Sequence, residues 1–77
     1  MELKQILIDI ARAIVDTPDS VTVTEEVDGD DITLTLSVAE DDTGMVIGRH
    51  GKIANAIRAV MKAAANRSGK HVTVEIR

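Results

Sequence analysis

The sequence has no cysteine and no phenylalanine, tyrosine or tryptophan. The first absence removes disulfides, thiolate metal sites and cysteine nucleophiles together. The second means that neither the core nor any ligand site rests on an aromatic ring. Uninterrupted apolar runs are only a few residues long, far short of the roughly 20 needed to cross a bilayer. The opening Met1-Glu2-Leu3-Lys4 lacks a basic region followed by an apolar stretch. No export signal is read from it, and a reduced, cytoplasmic compartment is expected.

What is present is ordinary for a globular chain: 77 residues, 44% hydrophobic and 29% charged. That length predicts one domain over residues 1–77, of modest stability, because a chain this short buries only about 60% of its unfolded surface. The net charge of −4 hides a division. Residues 1–44 carry twelve acids and two bases (Lys4, Arg12), a net of −10. Residues 45–77 carry seven bases and one acid (Glu75), a net of +6. Such asymmetry hints at a surface for a polyanion; equally, the acidic half could neutralise the basic half within one fold.

Leu3, Ile6, Leu7, Ile10 and Ile14 recur at helical spacing, with Ala11 and Ala13 between them, and predict an amphipathic helix from residue 2 to about 15. Asp16-Thr17-Pro18-Asp19 ends it, since Pro18 cannot donate into the helical ladder. The period then changes to two. Val21, Val23 and Val27 alternate with Thr22, Thr24 and Glu26; Ile32, Leu34, Leu36 and Val38 alternate with Thr33, Thr35 and Ser37. Asp28-Gly29 between these runs signals a hairpin. Glu40-Asp41-Asp42-Thr43 offers capping side chains for a short turn through Met45, Val46 and Ile47, which Gly48 stops. A second helix follows Gly51, its buried stripe expected at Ile53, Ile57, Val60, Met61 and Ala64, and it ends near Ser68-Gly69. Val72, Val74 and Ile76 alternate as a last strand. The order α-β-β-α-α-β predicts an α+β fold: a three-stranded mixed sheet, with a parallel crossover connection and three helices on one face.

The informative stretch is Met45-Val46-Ile47-Gly48-Arg49-His50-Gly51-Lys52-Ile53. Two glycines enclose two cationic or potentially cationic residues between a short helix and a long one. Glycine permits a tight turn and close approach of another backbone. The long helix then starts with free N–H groups and the positive end of its dipole at the turn, where Arg49, His50 and Lys52 add charge. Together these make a phosphate cradle. Ile47 and Ile53 flank it as an apolar floor.

Val46-Ile47-Gly48-Arg49-His50-Gly51-Lys52-Ile53 resembles the signature of KH domains, whose Gly-X-X-Gly loop joins two helices and clamps about four nucleotides by their backbone. The element order is similar to the type II (bacterial) arrangement. The opening helix, Asp16-Thr17-Pro18-Asp19, and the run Ile53-Ala54-Asn55-Ala56-Ile57-Arg58-Ala59-Val60 through Ala65 extend the likeness to the KhpA family, small free-standing KH domains. The resemblance implies a cytoplasmic RNA-binding protein that self-associates and pairs with a larger Jag-type KH protein. It places Gly48 and Gly51 as the frame of the loop and Arg49 and His50 as its variable residues against the nucleic-acid backbone. Ile47, Ile53 and Val38 would line the groove that accepts bases, with Lys52 and Arg58 as further phosphate contacts. The acidic average implies weak, salt-sensitive binding by a single copy.

Other chemistry finds little support. His50 and His71 have no metal-ligand spacing around them, so no metal site is expected. Asp28, Asp30 and Asp31 fit a tight turn and lack the length and terminal Glu of a calcium loop. No catalytic constellation is apparent, so no enzyme activity, cofactor, small-molecule substrate or membrane partner is expected. On the long helix Ala56, Ala59 and Ala63, with Val60 beside them, give a small-residue face that lets two helices approach closely. Alanines also simply favour helix; the resemblance, which implies self-association, makes these residues the expected dimer interface. The alternative reading is a KH-fold adaptor that binds protein and little or no RNA.

Overall fold

The computed structural model describes residues 2–77. Helix α1 spans Leu3–Ile14, strands β1 and β2 span Thr22–Asp28 and Asp31–Ser37, short helix α2 spans Thr43–Ile47, helix α3 spans Lys52–Asn66, and strand β3 spans His71–Ile76. The expected order α-β-β-α-α-β is what forms. β1 pairs antiparallel with β2, and β2 pairs parallel with β3, giving a mixed sheet in the order β1-β2-β3. The hairpin closes through Gly29 and Asp30, between the paired residues Asp28 and Asp31. α1 packs on β1 and β2, α3 packs on β3, and α2 packs against both long helices.

Strand alternation decides which sheet face is covered. Ile32, Leu34 and Leu36 of β2 are buried beneath the helices, while Thr33, Thr35 and Ser37 face outward. Leu7, Leu34, Leu36, Met61 and Val46 are fully enclosed. Burial of such a side chain contributes about 1.5–3 kcal/mol, and these five form the centre of a small core.

Three expectations are corrected. Val27 does not share the burial of Val21 and Val23: it lies near the hairpin end of the edge strand and is 61% exposed. The buried stripe of α3 is Ala54, Ile57, Met61 and Ala65, with Ile53 and Val60 outside it. Small alanines at 54 and 65 take the positions against the core, which turns the two branched residues toward solvent. The acidic run before α2 is not used for capping. Glu40–Asp42 form a 3₁₀ turn, and no side chain caps α2. Asp42 is instead buried, its carboxylate Oδ2 accepting a hydrogen bond from the Thr17 backbone N–H at 2.9 Å.

Candidate nucleic-acid interface

α2 and α3 are joined by Gly48-Arg49-His50-Gly51, and three of these four residues have positive φ. Gly48 sits at φ 74°, ψ 176°, a region essentially reserved for glycine. His50 (57°, 26°) and Gly51 (74°, 15°) are left-handed. His50 is the one non-glycine residue with positive φ among those described, a conformation that costs an L-residue about 1–2 kcal/mol. The turn is closed by Gly51 N–H donating to Gly48 C=O at 3.2 Å, and by Lys52 N–H donating to Arg49 C=O. The turn projects the Arg49 and His50 side chains from an otherwise compact junction, and both are exposed.

Gly48 is held on two grounds. A Cβ there would lie 2.6 Å from Ile53 Cγ1, so the backbone of 48 rests directly on the Ile53 side chain. Gly51 has nothing within 4 Å of a built Cβ, and its backbone angle alone favours glycine.

No side chain caps α3, and no acid occupies its first turn. Its leading N–H groups and positive dipole end therefore face the loop, joined by Arg49, His50 and the exposed Lys52. A cation at the start of a helix opposes the dipole, so Lys52 destabilises α3 taken by itself. None of these three side chains takes part in either ion pair found among the described residues, Lys70 with Asp30 and Arg77 with Glu75. Arg49 and Lys52 thus carry positive charge with no ion-pair partner among the described residues, of the kind an anion would neutralise.

The remaining expected site residues divide. Ile47 and Ile53 lie on either side of the loop, 38% and 37% exposed, as an apolar floor requires. Val38 is half-buried just beyond β2 and packs on the core. Arg58 is already engaged: its Nε donates to the Val74 carbonyl on the open edge of the sheet at 3.1 Å, and Nη1 lies 3.5 Å from Asn55 Oδ1. Ala56, Ala59, Val60 and Ala63 are all exposed along α3.

An open apolar groove of about 440 Å³ runs between α1 and α3, lined by Ile10, Ile14, Ile53, Ala56, Ile57 and Val60 with Lys52 at its edge. Ile10 and Ile14 escape a reading from sequence because they fall within the apolar stripe of α1. The available signal is width. Leu3, Leu7, Ala11 and Val15 form one buried line, and Ile6, Ile10 and Ile14 form a second that is only half covered.

A Gly-X-X-Gly turn between two helices, in an α-β-β-α-α-β chain with this mixed sheet, defines a type II KH domain. The chain belongs to the family described as "KhpA/KhpB, KH domain", which it matches over residues 4–76. It is 51% identical over 74 residues to the RNA-binding protein KhpA of Clostridium acetobutylicum, covering 96% of this chain and 99% of that one. Against KhpA of Caldanaerobacter subterraneus it is 51% identical over 67 residues, covering 87% and 89%. Against KhpA of Listeria monocytogenes it is 35% identical over 74 residues, covering 96% and 97%. Among solved structures, Aquifex aeolicus Era superposes with a TM-score of 0.70 at 20% identity, covering 96% of this chain and 29% of Era. That last likeness is one of fold. The relatives are named for RNA binding and not for a reaction, in keeping with the non-catalytic reading of this chain. No described helix is long and apolar enough to cross a membrane.

Proposed function

We propose that this chain is a cytoplasmic RNA-binding protein that holds single-stranded RNA by its backbone at the Gly48–Gly51 loop. The observation that carries the reading is the junction of α2 with α3. There, a turn with three positive-φ residues aims Arg49 and His50 outward beside an uncapped helix N-terminus, with no acid in its first turn. Phosphates neutralise the loop and the dipole together. Ile47 and Ile53 give bases an apolar surface, and so short a surface reads few positions. The naming of its relatives as RNA-binding proteins supports the same reading.

The small, exposed face of α3 supports self-association. Ala56 and Val60 form one wall of the groove whose other wall is Ile10 and Ile14, so a second copy docked there covers apolar surface from both helices. A larger Jag-type KH protein would use the same face. Pairing sets two weak loops on one RNA, and their combined avidity exceeds that of either.

The test is anisotropy of labelled single-stranded RNA at two salt concentrations, for the wild type and for Arg49→Asp with His50→Asp, with circular dichroism to confirm folding. Binding that weakens with salt and disappears in the folded double variant supports the reading. Binding indifferent to the loop, or absent from the wild type, transfers the weight to a protein adaptor. Sedimentation of Ala59→Glu tests the dimer face: a variant that stays dimeric removes it.

A further inference from the structure

Among the described residues Asp42 is the one buried charged or polar residue, 3% exposed, and it takes part in neither ion pair. It closes the 3₁₀ turn Glu40–Asp42 that runs directly into α2, and its backbone is already helical (φ −96°, ψ −6°), so its side chain is not placed to cap α2. The carboxylate reaches across 25 positions of sequence to the Thr17 N–H, in the connector between α1 and β1. Burying a carboxylate is costly unless it is hydrogen-bonded, and the Thr17 N–H supplies such a bond.

It holds α2. That helix has five residues, too few to be stable alone, and only Val46 within it is fully buried. Val46 seats α2 against the two long helices toward its C-terminal end. A second anchor at its N-terminal end fixes its axis, and α2 leads directly into Gly48, whose backbone lies against the Ile53 side chain. We propose that Asp42 is a positioning residue for the RNA loop: its bond to Thr17 fixes α2 against the α1–β1 connector, and so sets the geometry of Gly48–Gly51. This rests on the RNA-binding reading for its consequence, though not for its geometry.

The experiment uses the full chain with Asp42→Leu, which removes the acceptor, and Asp42→Asn, which keeps one oxygen. Val23→Ala, a core truncation on β1, is the control for loss of stability alone. Two quantities are read under conditions where every variant is folded: native-state exchange of the Gly48 amide and affinity for labelled single-stranded RNA. Asp42→Leu should speed exchange at Gly48 and weaken RNA binding, each about tenfold, with Asp42→Asn within about twofold of wild type and Val23→Ala unchanged in both. A Gly48 amide and an affinity disturbed no more by Asp42→Leu than by Val23→Ala overturn the proposal. A wild type that binds no RNA refutes the functional reading, and amide exchange alone then decides the positioning role. If Asp42→Leu does not fold, exchange in the wild type decides. Thr17 and Gly48 should open together, below the global unfolding free energy, and independent opening overturns the proposal.

Discussion

Gly48 and Ile53 are in direct contact across the loop: a methyl group at position 48 would come within 2.6 Å of Ile53 Cγ1. The two glycines of the motif are therefore not equivalent. Gly48→Ala meets both a glycine-only backbone region and a side chain it cannot displace freely, and should cost about 2–4 kcal/mol. Gly51→Ala meets only the left-handed φ and should cost about 1–2 kcal/mol. Gly51→Asn should cost less again, because Asn tolerates that conformation. Urea unfolding of the three variants gives the order directly, and equal losses at 48 and 51 contradict it.

His50 holds a left-handed backbone without being glycine. If that strain serves to present an imidazole, stability and binding should move in opposite directions when it is relieved. His50→Gly should raise or preserve stability, by up to about 1 kcal/mol, while weakening RNA binding. His50→Val, branched at Cβ, should destabilise by more than 1 kcal/mol, on the order of 2. A His50→Gly loss of stability beyond the roughly 1 kcal/mol that glycine adds in unfolded-chain entropy would show that the imidazole has a structural partner.

Lys52 opposes the dipole of the helix it opens. Lys52→Glu should raise the melting temperature, through a gain of about 0.3–1 kcal/mol, and should weaken RNA binding. If Lys52 touches a phosphate, Lys52→Ala lowers the slope of log affinity against log salt by about 0.7. Affinity measured at three or more salt concentrations gives that slope. An unchanged slope with reduced stability assigns Lys52 to the fold.

Arg58 has the opposite balance. Its guanidinium bonds the Val74 carbonyl on the exposed edge of β3, and a charged group there also discourages pairing of that edge with another strand. Arg58→Ala should cost about 1 kcal/mol of stability, and RNA affinity should fall by less than for Arg49→Ala. Parallel anisotropy and urea titrations separate the two effects. A larger loss of affinity at 58 than at 49 would assign Arg58 to phosphate contact as well as to the sheet edge.

The strands, the hairpin and the loop were legible because each rests on a local rule, and the parallel connection follows from the crossover rule. Period-two alternation gave the covered face at Ile32, Leu34 and Leu36, and two glycines around Arg49 and His50 marked the turn. The rotation of α3 was not legible. Periodicity assigns burial by side-chain size, so Ile53 and Val60 were expected inside, yet the close approach of α3 to the core selects Ala54 and Ala65. Asp42 eluded the local rules for a related reason: its partner Thr17 is 25 positions away in sequence, in the connector after α1, and tertiary packing brings it there.

That rotation makes a prediction from two residues three positions apart. Ile57 is 4% exposed and Val60 is 52% exposed. Ile57→Ala removes packed core atoms and should cost about 2–5 kcal/mol, enough to unfold much of so small a chain. Val60→Lys removes nothing from the core and should leave monomer stability within about 0.5 kcal/mol of wild type. If α3 is the dimer face, the same substitution abolishes dimerisation by placing two like charges in an apolar contact. Sedimentation equilibrium of Val60→Lys, with its unfolding followed at low concentration, reads both quantities on one sample. A destabilised monomer would return Val60 to the core. A stable dimer would move the interface off this groove and leave it to the bases bound beside Ile53.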